Sequence, residues 1–124
     1  MKRSKMPPRG TYLRTRTPMP RVNRARKAKN SLRAYGPAER RDWLTSRPCI
    51  ICGKPGPSEQ AHVETGGTGR KANADKTIPA CHDCHQGPQG MHAGIRSFEA
   101  RHGVDLQLLA AAVERAWQRE CART

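Results

Sequence analysis

Residues 48–92, PCIICGKPGPSEQAHVETGGTGRKANADKTIPACHDCHQGPQGMH, carry the pattern that decides the fold. Two C-x-x-C pairs, Cys49/Cys52 and Cys81/Cys84, bracket 28 residues that contain a single histidine, His62. His85 follows the last of these cysteines directly, and His92 lies seven residues further on. Four thiolates in two such pairs complete the tetrahedral shell of a structural Zn²⁺ and leave no open coordination position. A closed zinc site does not catalyse, so any chemistry falls to the histidines inside and after the pairs.

Composition explains why such a staple is needed. Aromatic residues make up only 4% of the 124 residues and charged residues 27%, so the apolar core is small. Folded units with little to bury commonly rely on a metal or a disulfide. The start, MKRSKMPPRG, lacks the apolar segment of a signal peptide, and no apolar run approaches the ~20 residues that span a bilayer. A cytoplasmic protein without membrane contacts or a small-molecule substrate is therefore expected. In that compartment paired cysteines read as metal thiolates rather than disulfides.

The net charge of +14 is unevenly spread. Residues 1–47 hold fifteen Lys/Arg against two acids, whereas residues 48–124 hold nine against eight. A basic arm on a nearly neutral domain suits a polyanion, most simply the nucleic-acid backbone, bound through phosphate neutralisation and counterion release. Arg21, Arg24, Arg26, Lys27 and Lys29 are the arm's expected contacts. A purely solubilising tail is the alternative. Residues 1–30 combine these cations with Pro7, Pro8, Pro18, Pro20 and Gly10 and almost no apolar side chains, a composition that predicts disorder.

The remainder, residues 31–124, reads as one small α+β domain with a core at about 48–92 and C-terminal helices at about 92–122. Pro37 suits the first turn of a helix over 37–46 that brings Trp43 onto the domain. Residues 59–64 and 76–80 read as short strands. Cys81–His85 opens a helix broken by Gly87, Pro88 and Gly90, and residues 92–102 form another, ending near Gly103. Asp105 caps a last helix whose Leu106, Leu109, Ala110, Val113, Trp117 and Cys121 recur along one face as ordinary core. Cys121 is expected there as buried packing.

The order of these pieces, a cysteine knuckle, a strand with His62, a glycine loop, a second strand and a C-x-x-C-His helix, resembles the HNH (ββα-metal, His-Me finger) endonucleases. The wording is most similar to a phage and prophage branch that includes the recombination-enhancement nucleases. The similar segments are PCIICG at 48–53, AHVETGGTGRKA at 61–72, TIPACHDCH at 77–85 and MHAGIRSFEARHGVDL at 91–106, about a third of the chain.

The resemblance implies a DNA endonuclease or nickase. His62 maps to the general base, which takes a proton from the attacking water, and His85 to a ligand of a catalytic Mg²⁺ or Mn²⁺. His92 matches a further histidine common in this branch. The middle asparagine of the family, which holds the loop that orients the base, corresponds to Asn73 or Asp75. The family often places a metal ligand directly before the base, where this chain has Ala61, and Glu64, Asp75 and His92 are the candidates to replace it. The resemblance also makes a recombinase filament a further partner.

Each role has a plainer counterpart. His62 could be a strand histidine bonded to a backbone carbonyl, and His85 a donor beside the zinc site. Arg70 and Lys71 are expected to contact the DNA backbone, against an alternative of plain solvation in the glycine loop. For the whole chain, the alternative is a non-catalytic zinc module that binds nucleic acid or assists recombination.

Overall fold

A computed structural model of the chain describes residues 23–67 and 70–123. Arg21, an expected nucleic-acid contact, lies outside the described residues together with the rest of 1–22. Helix α1 spans Arg24–Tyr35 and α2 spans Ala38–Thr45. Strands β1, Glu59–His62, and β2, Thr77–Ala80, form an antiparallel pair, followed by α3, His82–Gln86, α4, Ile95–His102, and α5, Leu106–Ala122. The architecture is α+β. Among the described residues, no helix is long and apolar enough to cross a membrane.

The expectation of a disordered arm through residue 30 fails for residues 24–30, which form the first two turns of α1. Asn23 starts the helix, its side-chain oxygen accepting from Arg26 N at 3.0 Å. Ala25, Ala28 and the straight-chain Lys and Arg residues are good helix formers. The other end is docked on the domain. Ala34 is buried, and Arg33 Nη1 donates to the Lys71 carbonyl at 2.9 Å and to Asn73 Oδ1 at 3.1 Å. Composition weighs the burial a segment could achieve alone, and α1 is held by what it touches at one end.

Helix carbonyls in the last turn need partners outside the helix. Here strand side chains supply them, His62 Nε2 donating to Ala34 O at 2.7 Å and Gln60 Nε2 to Tyr35 O at 3.0 Å. Residues 60 and 62 share one face of β1 by the two-residue period of a strand, and that face meets the C-terminal end of α1. Glu59, Ala61 and Val63 share the other face, where Ala61 and Val63 are buried in the core.

The strands are shorter than expected, four residues each against 59–64 and 76–80. Val63 N still bonds Lys76 O, but the chain then swings through an isolated bridge, Thr65 with Lys71, that closes the glycine loop. A Cβ on Gly66 would lie 2.5 Å from Lys71 O, so the two sides of this loop approach too closely for a side chain. Pro79 sits in β2 without a ladder N–H, and its carbonyl accepts from Ile50 N at 3.0 Å. The cysteine knuckle is thereby attached to the outer edge of the sheet.

Leu44, Ala61, Val63, Ile78, Ala80, Phe98, Leu106, Ala110 and Val113 build the core together with Cys49, Cys81 and Cys84. Full burial of one of the larger aliphatic or aromatic side chains contributes about 1.5–3 kcal/mol, and among the described residues the largest fully buried apolar side chains are Phe98, Leu44, Ile78, Leu106 and Val63. Helix α4 starts at Ile95 rather than at residue 92, because residues 91–93 form a separate 3₁₀ turn. Asp105 caps α5 as expected, accepting from Gln107 N at 3.0 Å and Leu108 N at 3.3 Å. Leu106, Ala110 and Val113 of the expected stripe are buried, but Cys121 is exposed, because α5 outlasts the domain surface it packs on.

Arg40, a surface residue by composition, is only 3% exposed. Its guanidinium donates to Thr77 Oγ1 at 3.0 Å and pairs with Glu114 Oε2 at 2.9 Å, tying α2 to β2 and α5. Nearby, Trp43 packs on Trp117 with ring centroids 5.4 Å apart, and Arg47 lies 4.0 Å over the Trp43 ring. Removing one partner of such a pair strands the other. Arg40→Ala is expected to destabilise the domain by about 2–4 kcal/mol in denaturant titration, whereas Arg41→Ala, at an exposed position, changes stability by under ~0.5 kcal/mol.

Candidate functional site

Two centres are built on the unit formed by β1, β2 and α3. The first is the cysteine cluster. Cys49 and Cys52 sit on the knuckle, where Gly53 adopts φ +76° and donates to Cys49 O at 2.9 Å. Cys81 and Cys84 sit at the N-cap and in the first turn of α3. The four Sγ atoms all lie within 4.8 Å of one another, and Cys52 and Cys81 are 3.6 Å apart. A zinc ion with Zn–S bonds of about 2.3 Å sets tetrahedral S···S edges of about 3.8 Å, so the geometry fits Zn²⁺.

The protonation behaviour agrees with a need for a cation. Against burial, which opposes ionisation, the backbone amides of Cys52, Cys81 and Ile51 bring the Cys49 thiol down to about 7. Burial and the thiols of Cys81 and Cys49 push Cys84 up. At Cys52 the Lys54 amide acts downward, but the Cys49 and Cys81 thiols outweigh it and raise the group. Thiolates bind zinc in their deprotonated form, and a divalent cation among the cysteines supplies the charge that stabilises them.

The second centre is an open cleft of about 970 Å³. His62 on β1, His85 on α3 and His92 in the following 3₁₀ turn all line it, with Arg41, Arg70 and Lys71 as cations. His62 is half-buried. Its Nε2 is taken by the Ala34 carbonyl, so the partner anticipated by the plainer account of this residue is present, at the end of α1. Bonding through Nε2–H leaves Nδ1 as the nitrogen with a lone pair. Burial lowers the His62 pKa below its ordinary value, Lys71 and Arg33 act in the same direction, and the Ala34 and Ala72 carbonyls oppose them. The ring is therefore predominantly neutral near pH 7. Tyr35 stands edge-on to it at 5.3 Å, and Lys71 Nζ bonds the Tyr35 hydroxyl.

His85 is buried, and its ring meets that of His92 edge-on at 4.5 Å. Burial and the neighbouring His92 lower its pKa, while Glu59 acts against them. Glu59 was not singled out in the sequence. The available signal was the strand period, which puts position 59 on the same face as the ligand-free Ala61.

Ala61 itself is fully buried in the core, so nothing at that position reaches the cleft. Of its candidate substitutes, Glu64 and His92 line the cleft, with Glu64 Oε2 also accepting from Gln107 Nε2 at 3.0 Å. Asp75 does not line it. Asp75 and Asn73 border a smaller recess of about 270 Å³, and Asn73 is tied to α1 through Arg33 rather than to His62. Among the described residues, the four cysteines are the group of His, Cys, Asp and Glu drawn together as a metal cluster. Along the cleft the donors are imidazoles and carboxylates at wider spacing.

Arg24, Arg26, Lys27 and Lys29 are exposed on α1. Arg24, Lys27, Ser31 and Tyr35 follow one another at intervals of three or four residues, which puts them on one helix face. Ser31 and Tyr35 already line the cleft, so this face extends its wall with positive charge. Among the remaining histidines, His82 is exposed as expected but bonds Glu59, and His102 is exposed beside Phe98.

A protein-family model described as "Protein of unknown function (DUF968)" matches residues 24–119. The chain belongs to the DUF968 family. The family match begins at the residue where α1 begins, which agrees with α1 being part of the folded unit. The chain is also similar to "Uncharacterized protein YdfU" of Escherichia coli (strain K12), 30% identical over 76 residues. That alignment covers 60% of this chain but only 21% of the relative. No solved structure matches the chain.

For this DUF968 domain, purified protein is expected to hold one zinc per chain by elemental analysis. Cys84→Ser loses the metal and the cooperative thermal transition, whereas Cys121→Ser, outside the cluster, retains both. Because thiolates must be deprotonated to bind, zinc release by a chelator accelerates as pH is lowered.

Proposed function

We propose that the domain is a zinc-stapled, metal-dependent DNA endonuclease or nickase of the HNH type, with His62 as general base and His85 as a ligand of the catalytic divalent ion. The observation that carries this is the gathering of His62, His85 and His92 in one cleft bordered by Arg41, Arg70 and Lys71. Histidines from a strand, a helix and a turn converge there.

The chain's own residues divide the work. Arg41, Arg70, Lys71 and the basic face of α1 hold the phosphodiester backbone, giving affinity that is salt-dependent and largely independent of sequence. Neutral His62, fixed through Nε2 by Ala34 O, accepts a proton from water at Nδ1 as the water attacks phosphorus. Lys71, Arg33 and burial keep that ring neutral before the transfer. A Mg²⁺ or Mn²⁺ ion held by His85, with His92 as second donor, would stabilise the charge on the pentacovalent phosphorus and the leaving oxygen. In phage recombination a recombinase filament would present the DNA to this cleft.

A second reading has its own support. Position 61 is buried alanine, and His62 already serves as the cap of α1, so the frame could act as a non-catalytic zinc module that binds nucleic acid or assists recombination. His62→Ala separates the two. A nuclease loses cleavage of duplex, nicked, branched or single-stranded DNA in Mg²⁺ or Mn²⁺ by a factor of about 10²–10⁴ while keeping its affinity, whereas a binder shows no cleavage to lose, with or without a recombinase filament.

The pH dependence has a fixed sign. His62 acts unprotonated and its pKa lies below the ordinary histidine value, so cleavage holds from neutral pH down past that value. It then falls about tenfold per pH unit on further acidification, as a rate profile will show. The double change Arg70→Ala, Lys71→Ala is expected to weaken binding similarly on unrelated DNA sequences. It should also reduce the slope of log K against log salt by about 2 for two lost phosphate contacts.

A further inference from the structure

Glu59 is the acceptor on which the first turn of α3 converges. Its carboxylate faces His85 Nδ1 at 3.3 Å, His82 Nδ1 at 3.2 Å and Gln86 Nε2 at 3.2 Å. The sheet register sets this up, since Glu59 pairs with Ala80 and α3 starts two residues later. We propose that Glu59 is a positioning residue that holds His85 in the Nδ1–H tautomer and so turns the Nε2 lone pair toward the cleft as the donor for a divalent cation. This rests on the nuclease reading for the task of the cation, and on the geometry alone for the tautomer.

An ionised carboxylate only accepts, so a neutral imidazole facing it bonds through the nitrogen that carries hydrogen. A neutral ring has one such nitrogen, and with Nδ1–H committed to Glu59 the other, Nε2, holds the lone pair. Two observations make His85 the ring that this bond controls. Its side chain is 11% exposed against 70% for His82, so water competes for the His82 bond far more than for the His85 bond. The edge-on contact with His92 fixes the His85 ring on a second side. The same arrangement compensates for Ala61, because Glu59 lies on its face of β1 and supplies negative charge behind the ligand instead of a ligand itself.

A competing role for Glu59 is simply to clamp α3 onto β1. The two are separated in the zinc-loaded full chain by long-range ¹⁵N–¹H correlation of the imidazole nitrogens, before and during Mn²⁺ titration. Wild-type protein should show His85 as Nδ1–H. Glu59→Gln keeps an oxygen acceptor and should keep the tautomer, whereas Glu59→Ala should mix the two tautomers and weaken Mn²⁺ binding by about 10- to 100-fold. His82→Ala and Gln86→Ala, which remove the other donors, should leave the His85 tautomer unchanged.

An Nε2–H tautomer in wild-type protein overturns the proposal without any variant, so a failure of Glu59→Ala to fold does not protect it. So do unchanged His85 nitrogens in Glu59→Ala, or equal disturbance in Glu59→Gln and Glu59→Ala, which is the mark of a clamp. Nδ1–H in wild-type protein that binds no Mn²⁺ supports the tautomer assignment and counts against the nuclease reading instead.

Discussion

Four sulfur atoms held within bonding range of one ion are the constraint on which the remainder of this fold depends. They join the knuckle before β1 to the N-terminus of α3 after β2, closing the two ends of a sheet whose strands are only four residues long. An isolated two-stranded sheet is marginal in water, and the core here offers few large side chains to offset chain entropy. Fixing both ends of the hairpin to one point replaces the contacts that a larger core would make. The same constraint anchors the start of α3 and with it His85, one residue past Cys84, which lines the cleft.

The second organising contact is the end of α1. Its final carbonyls are satisfied by His62 and Gln60, which couples a basic helix to the strand face that carries the proposed base. One hydrogen bond thereby does two jobs, ending a helix and selecting the nitrogen of His62 that carries its proton. Arg33 adds a further tie from α1 to the loop before β2, through Lys71 O and Asn73. The basic segment is consequently a wall of the cleft rather than a tether beside it.

Much of this was legible along the chain. Paired cysteines at two-residue spacing, a capped terminal helix with a 3.6-residue stripe and a Pro-initiated helix before the knuckle are local patterns, and local patterns are set by residues a few positions apart. The misjudged features are all long-range. Residues 24–30 fold because α1 docks at its far end on residues 71 and 73. Cys121 lies on a perfectly regular apolar face and is exposed, because periodicity records which residues share a side of a helix but not how far the neighbouring surface extends.

The sequence by itself determined the metal chemistry and the supply of histidines, since a ligand's identity is a property of its side chain and the spacing of a C-x-x-C pair fits one ion without outside help. Tertiary structure decided which of those histidines share a cleft, which nitrogen of each is engaged, and that Glu59 rather than a neighbour of His62 stands behind His85. These outcomes follow from strand register and from the docking of α1 and α3. A four-residue strand that slipped by a single position would turn His62 into the core and Ala61 toward α1, and no property of the individual residues records which register prevails.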